Sequence, residues 1–372
     1  MFNQKKSRSR VLLWFTLVSV SLILYSCLDE IELPIESDLN DAIVIEGSLS
    51  MGNPSVVSIG ITRLFDFSAS SLQPVNVREV LLLDEQDNSV ALKEAGPGNY
   101  RLVIDDKVNF TVAIGKEYRL QVSTFDNRKI ISTAEPILAT PEPGAVDVSL
   151  FKKDRLNDEG QIVQDDYLAF SIEASITSSS DGHEARYFWA LEQTFLITDS
   201  PDRKIEDGKD CYITQPIDVT SVNILDGNQF SGTDQVSALI YETPVNYYFA
   251  QGYYLTVVQH SLSEGAYRYW NQVSQVIDRT GNMFEAPAGR IKSNFVNLDD
   301  GQASPNVFGY FYASQSDTTR FYVSPEAAGS PSMYCPWPVN QIPPPNGCPR
   351  FPCCECLDEI GSQLEKPDFW DQ

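Results

Sequence analysis

Apolar and polar residues alternate with a period of two through much of this chain, the pattern of strands with one buried face rather than of helices. Val57, Ile59 and Ile61 alternate with Ser58, Gly60 and Thr62, and Tyr118, Leu120 and Val122 alternate with Arg119, Gln121 and Ser123. A β-branched run, Ala42-Ile43-Val44-Ile45, is ended by Gly47, and the run Val80 to Leu83 stops at Asp84-Glu85-Gln86-Asp87-Asn88. Gly96-Pro97-Gly98-Asn99 supplies another turn. Short strands separated by such turns predict an antiparallel β-sandwich over residues 42–140.

Pro136, Pro141, Pro143 and Gly144 mark a boundary near residues 136–145. Beyond it the cleanest alternation in the chain runs from Leu168 to Thr177, with further strands expected at Tyr187–Thr198, Tyr247–Gln259, around Phe295, at Val307–Ala313 and at Phe321–Val323. Residues 154–166, 199–210 and 226–236 read as polar loops. One segment breaks the β pattern. Ser261-Leu262-Ser263-Glu264 fits a capping box, and Ala266, Tyr269, Trp270, Val273, Val276 and Ile277 follow at helical spacing, with Gly281 as the stop. The expectation is a mainly β chain: an immunoglobulin-like or transthyretin-like sandwich (42–140), then a larger β-rich domain (141–330) with one amphipathic helix (262–280). A Cys/Pro-rich tail (331–372) completes it.

The N-terminus follows a different pattern. Lys5, Lys6, Arg8 and Arg10 precede 14 largely apolar residues, Val11 to Leu24, and Ser26 stands before Cys27. A spanning helix needs about 20 apolar residues, so the stretch is short for a span and suits a signal peptide. The arrangement resembles a lipoprotein signal (1–26), with Cys27 as the lipidated residue and 27–41 as a tether. Asp29, Glu30 and Glu32 lie just behind it, with Leu28 interrupting. This acidic run resembles the signal that carries Bacteroidota lipoproteins to the outer face of the outer membrane; a periplasm-facing position is the alternative.

Composition narrows the partners. The net charge is −24, and removing residues 1–26 takes away four basic residues and no acidic ones, which deepens it to −28. Such a surface repels nucleic acid and anionic lipid. Six cysteines remain beside Cys27: Cys211, Cys335, Cys348, Cys353, Cys354 and Cys356. An even number in an exported chain reads as disulfides, with 15 pairings open. Adjacent Cys353 and Cys354 are poor partners for each other, and isolated Cys211 is expected to tie the β domain to the tail. Seven prolines between Pro336 and Pro352 exclude a helix or central strand there, so the tail needs cross-links to hold one shape. A metal site on Cys348, Cys353, Cys354 and Cys356 is the sharper alternative, and redox-active thiols a third, but paired C-x2-C knuckles and a neighbouring histidine are missing.

Catalytic signatures are missing too. No G-x-S-x-G, Walker or H-E-x-x-H motif occurs, and the two histidines, His183 and His260, read as structural. The acidic stretches Asp84–Asn88, Asp154–Asp166 and Asn297–Gly301 lack the 12-residue calcium-loop pattern and read as solvated turns. Tyr247, Tyr248, Phe249, Tyr253 and Tyr254 read as core rather than as a sugar-stacking platform. Trp337 and Trp370, in the tail, are the candidates for partner contact.

The ordered set Val44-Ile45-Glu46-Gly47, Gly98-Asn99-Tyr100, Gly115-x-x-Tyr118, Leu255–Gln259, Tyr269-Trp270, Gly281, Phe284, Pro287, Asn294, Gly309-Tyr310-Phe311 and Lys366–Trp370 resembles the domain-of-unknown-function family 4249. Ala288-Gly289 departs from it where a second proline is usual. The resemblance implies a Bacteroidota outer-membrane lipoprotein, often encoded beside a TonB-dependent receptor, with no catalytic residues to carry over and no cofactor. The expected role is a non-catalytic accessory or binding protein of such a transporter. A structural component of the envelope without a small ligand is the alternative, and a surface hydrolase a remote one.

Overall fold

The computed structural model describes residues 42–370 except 65–72, 158, 178–183, 200–207, 218–221, 278–290, 300, 303, 305, 336–352 and 354. The signal segment, Cys27, His183, Trp337, Cys348 and Cys354 lie outside the described residues. The N-terminal part forms β1 (Ile43–Met51), β2 (Ser55–Arg63), β3 (Glu79–Leu83), β4 (Ser89–Ala91), β5 (Lys93–Gly96), β6 (Asn99–Ile104), β7 (Glu117–Ser123), β8 (Lys129–Ser132) and β9 (Glu135–Pro136). There follow β10 (Val146–Leu156), β11 (Ile162–Ser175), β12 (Arg186–Thr198), β13 (Asp210–Pro216), β14 (Ile224–Asp226), β15 (Gln235–Pro244) and β16 (Tyr253–Ser261). Helix α1 (Glu264–Ile277) precedes β17 (Phe295–Asn297), β18 (Val307–Phe308), β19 (Phe311–Val323) and β20 (Ser362–Gln363).

These strands make a mainly β fold of three sheets. A large one runs β20-β13-β12-β16-β19-β1-β2-β6-β5, with β14 and β18 at its margins. Sheets β17-β8-β7-β3-β4, joined by β9, and β10-β11-β15 complete the fold. One core holds Ile45, Leu49, Val57, Leu82, Leu120, Phe295 and Phe311 together. The other holds Leu168, Phe170, Trp189, Phe195, Ile213, Tyr253 and Cys356. Helix α1 packs on the opposite side of the large sheet. Phe188 and Tyr312, which alternate with core residues Trp189 and Phe311, meet Trp270, with Phe188 and Trp270 stacked at 4.8 Å.

The boundary expected near residues 136–145 does not separate two self-contained sheets. β19 pairs in parallel with β1 on one side and antiparallel with β16 on the other, and β17 pairs with β8. Residues 41–372 form one compact unit. β2 pairs with one edge of β1, and β18 and β19 take the other; such pairing leaves no local signal in either segment.

Other elements differ in extent. β1 continues through Gly47, where the absence of a side chain is what lets Ile59 and Phe311 close in: a Cβ there would lie 2.5 Å from the Ile59 side chain. The strands expected at 307–313 and 321–323 are one long β19 preceded by a break at Gly309, whose φ of 88° lets it press against the Ile45 backbone. The 154–166 loop is the end of the β10–β11 hairpin, bridged by Lys152–Asp166 and Arg155–Asp165 ion pairs. Tyr247–Phe249 is a 3-10 turn capped by the Asn246 side chain, not the start of a strand. The N-cap of α1 is Ser263, whose Oγ accepts the Ala266 N–H at 3.0 Å. Ser261 instead donates to the Leu138 carbonyl. Among the described residues no helix is long and apolar enough to cross a membrane.

Candidate partner-binding face

The tail is fastened to β13 by a covalent bond and a short ladder. Cys211, fully buried, is joined to Cys356, and Cys335 to Cys353. β20 pairs with Tyr212 and Ile213. Beside the first disulfide, Asp199 is fully buried; it accepts the Lys209 backbone N–H at 2.7 Å and the Cys356 N–H at 3.4 Å. The Lys209 ammonium lies 3.8 Å from Asp199 and 2.6 Å from Glu355. Its hydrogen bond to Glu355 holds that carboxyl below the usual range.

The ligand atoms of Asp199, Glu355 and Cys356 fall within 4.8 Å of one another, a spacing a metal would accept. The chemistry does not fit one. The Cys356 sulfur is committed to Cys211, and the Lys209 ammonium already pairs with both carboxylates. The same bonds remove Cys353 and Cys356 from the four-cysteine metal set. The cluster fixes the tail.

Trp370 is docked rather than free. Its ring meets Tyr212 edge-on at 5.0 Å, its carbonyl accepts the Tyr254 hydroxyl at 3.2 Å, and the neighbouring Phe369 ring lies under the Arg320 guanidinium at 4.5 Å. What the tail presents outward instead is apolar: Leu357, Ile360 and Leu364 are all exposed. Their i, i+3, i+7 spacing is that of one helical face, but the segment is a 3-10 turn, a tight turn and a two-residue strand, so the sequence pattern misplaces them. The aromatic run of 247–254 is largely core, with Phe249, Tyr253 and Tyr254 buried.

A second polar region joins the two cores. Glu135, buried on β9, accepts from Ser263 Oγ at 2.6 Å and from Tyr310 Oη at 2.5 Å. Burial raises its pKa above the usual carboxylate value, against those hydrogen bonds. Gln259 accepts from the Trp189 indole and donates to Thr140 and to the Pro141 carbonyl. His260 Nδ1 lies 3.1 Å from Ser314 Oγ. That pair is no hydrolytic couple. Ser314 is fully buried, and burial pushes the imidazole pKa down to about 4. A nucleophile and base need access to a substrate. A cleft of about 220 Å³ opens beside this seam, between Leu138, Tyr187 and Leu262, with Glu184, Arg186 and Glu264 on its walls. The proline segment around 136–141, expected as a domain boundary, is therefore the strap on which both cores are pinned.

The family model described as "Domain of unknown function (DUF4249)" matches residues 29–320. No curated protein and no solved structure matches the chain.

Proposed function

We propose, for a chain that belongs to the DUF4249 family, the role of a lipid-anchored, non-catalytic accessory protein of the outer membrane that serves a TonB-dependent transporter. The observation that carries this reading is the order of the N-terminal segment: four cations, 14 largely apolar residues, Ser26, then Cys27 with carboxylates behind it. Lipidation of Cys27 holds the chain on the bilayer, and two or more acyl chains make that hold stable. Two disulfides agree with export into an oxidising compartment. The buried His260–Ser314 pair and the Lys209-filled acidic cluster agree with a binding role rather than turnover. The acidic run after Cys27 supports an outward-facing position, and the −24 charge argues against nucleic acid as partner.

The test is a fractionation with and without the cysteine. Native chain is expected in the outer-membrane fraction carrying a lipid-modified N-terminal Cys27 by mass spectrometry, and Cys27→Ala is expected to leave that fraction. An unmodified Cys27 in mature, membrane-bound chain would overturn the anchor.

A further inference from the structure

The turn Glu359-Ile360-Gly361-Ser362 is built to be stiff. Its closing hydrogen bond runs from the Ser362 N–H to the Glu359 carbonyl at 3.1 Å. The Gly361 carbonyl accepts the Thr214 N–H at 3.0 Å and the Ile360 carbonyl accepts Gln215 Nε2 at 3.0 Å. Gly361 holds a φ of 82°, and a Cβ there would sit 2.1 Å from the Thr214 carbonyl, so the turn lies flat on β13. Three residues earlier the Cys211–Cys356 bond anchors the same segment. All this rigidity presents Ile360 to solvent, 84 % exposed, at the tip of a turn, a place that ordinarily takes polar residues. Leu357 (42 %) and Leu364 (51 %) are exposed on either side of it in the sequence. Asp358, Glu359 and Glu365 flank it in the sequence, with Lys366 the one cation among them.

We propose that the Ile360 turn is a preorganised anchor that inserts into an apolar socket on a partner protein, and that the socket is bordered by lysines and arginines. An apolar side chain held rigid before binding loses little conformational freedom on docking, which is the property of an interface hot spot. The acidic border selects the partner's charge. It repels an anionic lipid surface, and it repels a second copy of this chain, whose own border carries the same sign. The inference deepens the proposed function by naming where and with what chemistry the transporter is met. Only the partner's identity rests on that reading.

The experiment uses the full-length, lipid-anchored chain in its own membrane. With the photocrosslinker p-benzoylphenylalanine in place of Ile360, irradiation is expected to give one adduct. Its mapped site on the partner is expected to be apolar, with Lys or Arg beside it. In detergent extracts, Ile360→Asp is expected to lower partner recovery at least about tenfold, as truncation of an interface anchor does. Ile360→Leu is expected to retain it, and 0.5 M salt to weaken it. Since the side chain is exposed, the melting temperature of Ile360→Asp should match the native one, which separates lost docking from lost folding. Phe125→Asp, at an exposed turn of the other core, should leave recovery unchanged. Adducts with lipid or with a second copy of the chain would overturn the proposal, as would full partner recovery with Ile360→Asp. Recovery of a transporter through some other face defeats this inference and leaves the proposed function standing. A basic-bordered adduct on a protein that is not a transporter does the reverse.

Discussion

The core around Phe311 and the core around Trp189 are both closed by residues that arrive from far along the chain, but the closures differ in kind. In the first, β17 returns 163 residues after its partner in β8 and β18 and β19 return 264 residues after theirs in β1, bringing ladder hydrogen bonds and fully buried Phe295 and Phe311. In the second, residues 356–370 bring a 3-10 turn, two tight turns, a two-residue strand, the Phe369 and Trp370 rings and a disulfide. A 13-residue strand can offset the entropy of its own ordering with apolar burial and backbone pairing. A 15-residue segment whose ladder is two residues long cannot, and a covalent bond stands in for the missing ladder. The closing element of the first core is therefore interior, whereas that of the second stays at the surface with apolar residues left over for a partner.

The sharpest way to break this contrast is to damage the shared strand. Phe311→Ala should cost about 3–5 kcal/mol, as loss of a buried phenyl does. Because β19 pairs with both β1 and β16, both cores should lose stability together. Residues 42–188 contain no tryptophan, so fluorescence follows the second core while circular dichroism follows both. Coincident urea transitions are expected, and separated ones would show two independent units. Paired Cys211→Ser and Cys356→Ser should cost about 2–4 kcal/mol, the usual range for a disulfide closing a long loop. In hydrogen exchange the lost protection should fall on β13, β20 and the turn between Glu359 and Ser362, with β1 and β2 spared.

The seam between the cores gives a smaller, pH-dependent contrast. Burial lowers the His260 pKa from 6.5 to about 4, so its contribution is complete above 6.5 and is lost as pH falls through that window. The loss is about 3 kcal/mol by pH 4, and His260→Gln should flatten this limb of the stability profile. Glu135 runs the other way. Its pKa is raised by burial, so its contribution is complete below the ordinary carboxylate value of 4.5 and is lost as pH rises through its folded value. Glu135→Gln should therefore gain stability relative to the native chain toward alkaline pH while keeping a hydrogen-bond acceptor for Tyr310. Chemical denaturation across pH 4 to 9 reads both limbs.

Much of the fold was legible because alternation reports burial on one face. β2, β3, β7, β11 and β12 sit where Val57–Ile61, Val80–Leu83, Tyr118–Val122, Leu168–Thr177 and Tyr187–Thr198 place them. Helical spacing likewise located α1. Long-range pairing was not legible. Nothing local in Ile43–Met51 says that its parallel neighbour is Phe311–Val323, and the shared strand turned two expected domains into one unit. Charge misled at 154–166, where cross-strand ion pairs extend a hairpin that polarity had suggested was a loop. At the candidate face, the chemistry of the cysteines pointed to a tie between Cys211 and the tail, which the Cys211–Cys356 bond makes. Tryptophan content pointed to Trp370 as a contact, but its ring is used against Tyr212. Ile360 was not legible, because its i, i+3, i+7 spacing with Leu357 and Leu364 is helical whereas the segment folds as turns and a two-residue strand.

Native mass spectrometry of the chain purified from solubilised outer membrane decides whether the anchored chain meets a transporter through its tail. A lipid-modified chain bound to one β-barrel transporter is expected, and Ile360→Asp is expected to leave the chain lipid-modified but alone. A native chain that carries its lipid and no barrel partner would contradict it.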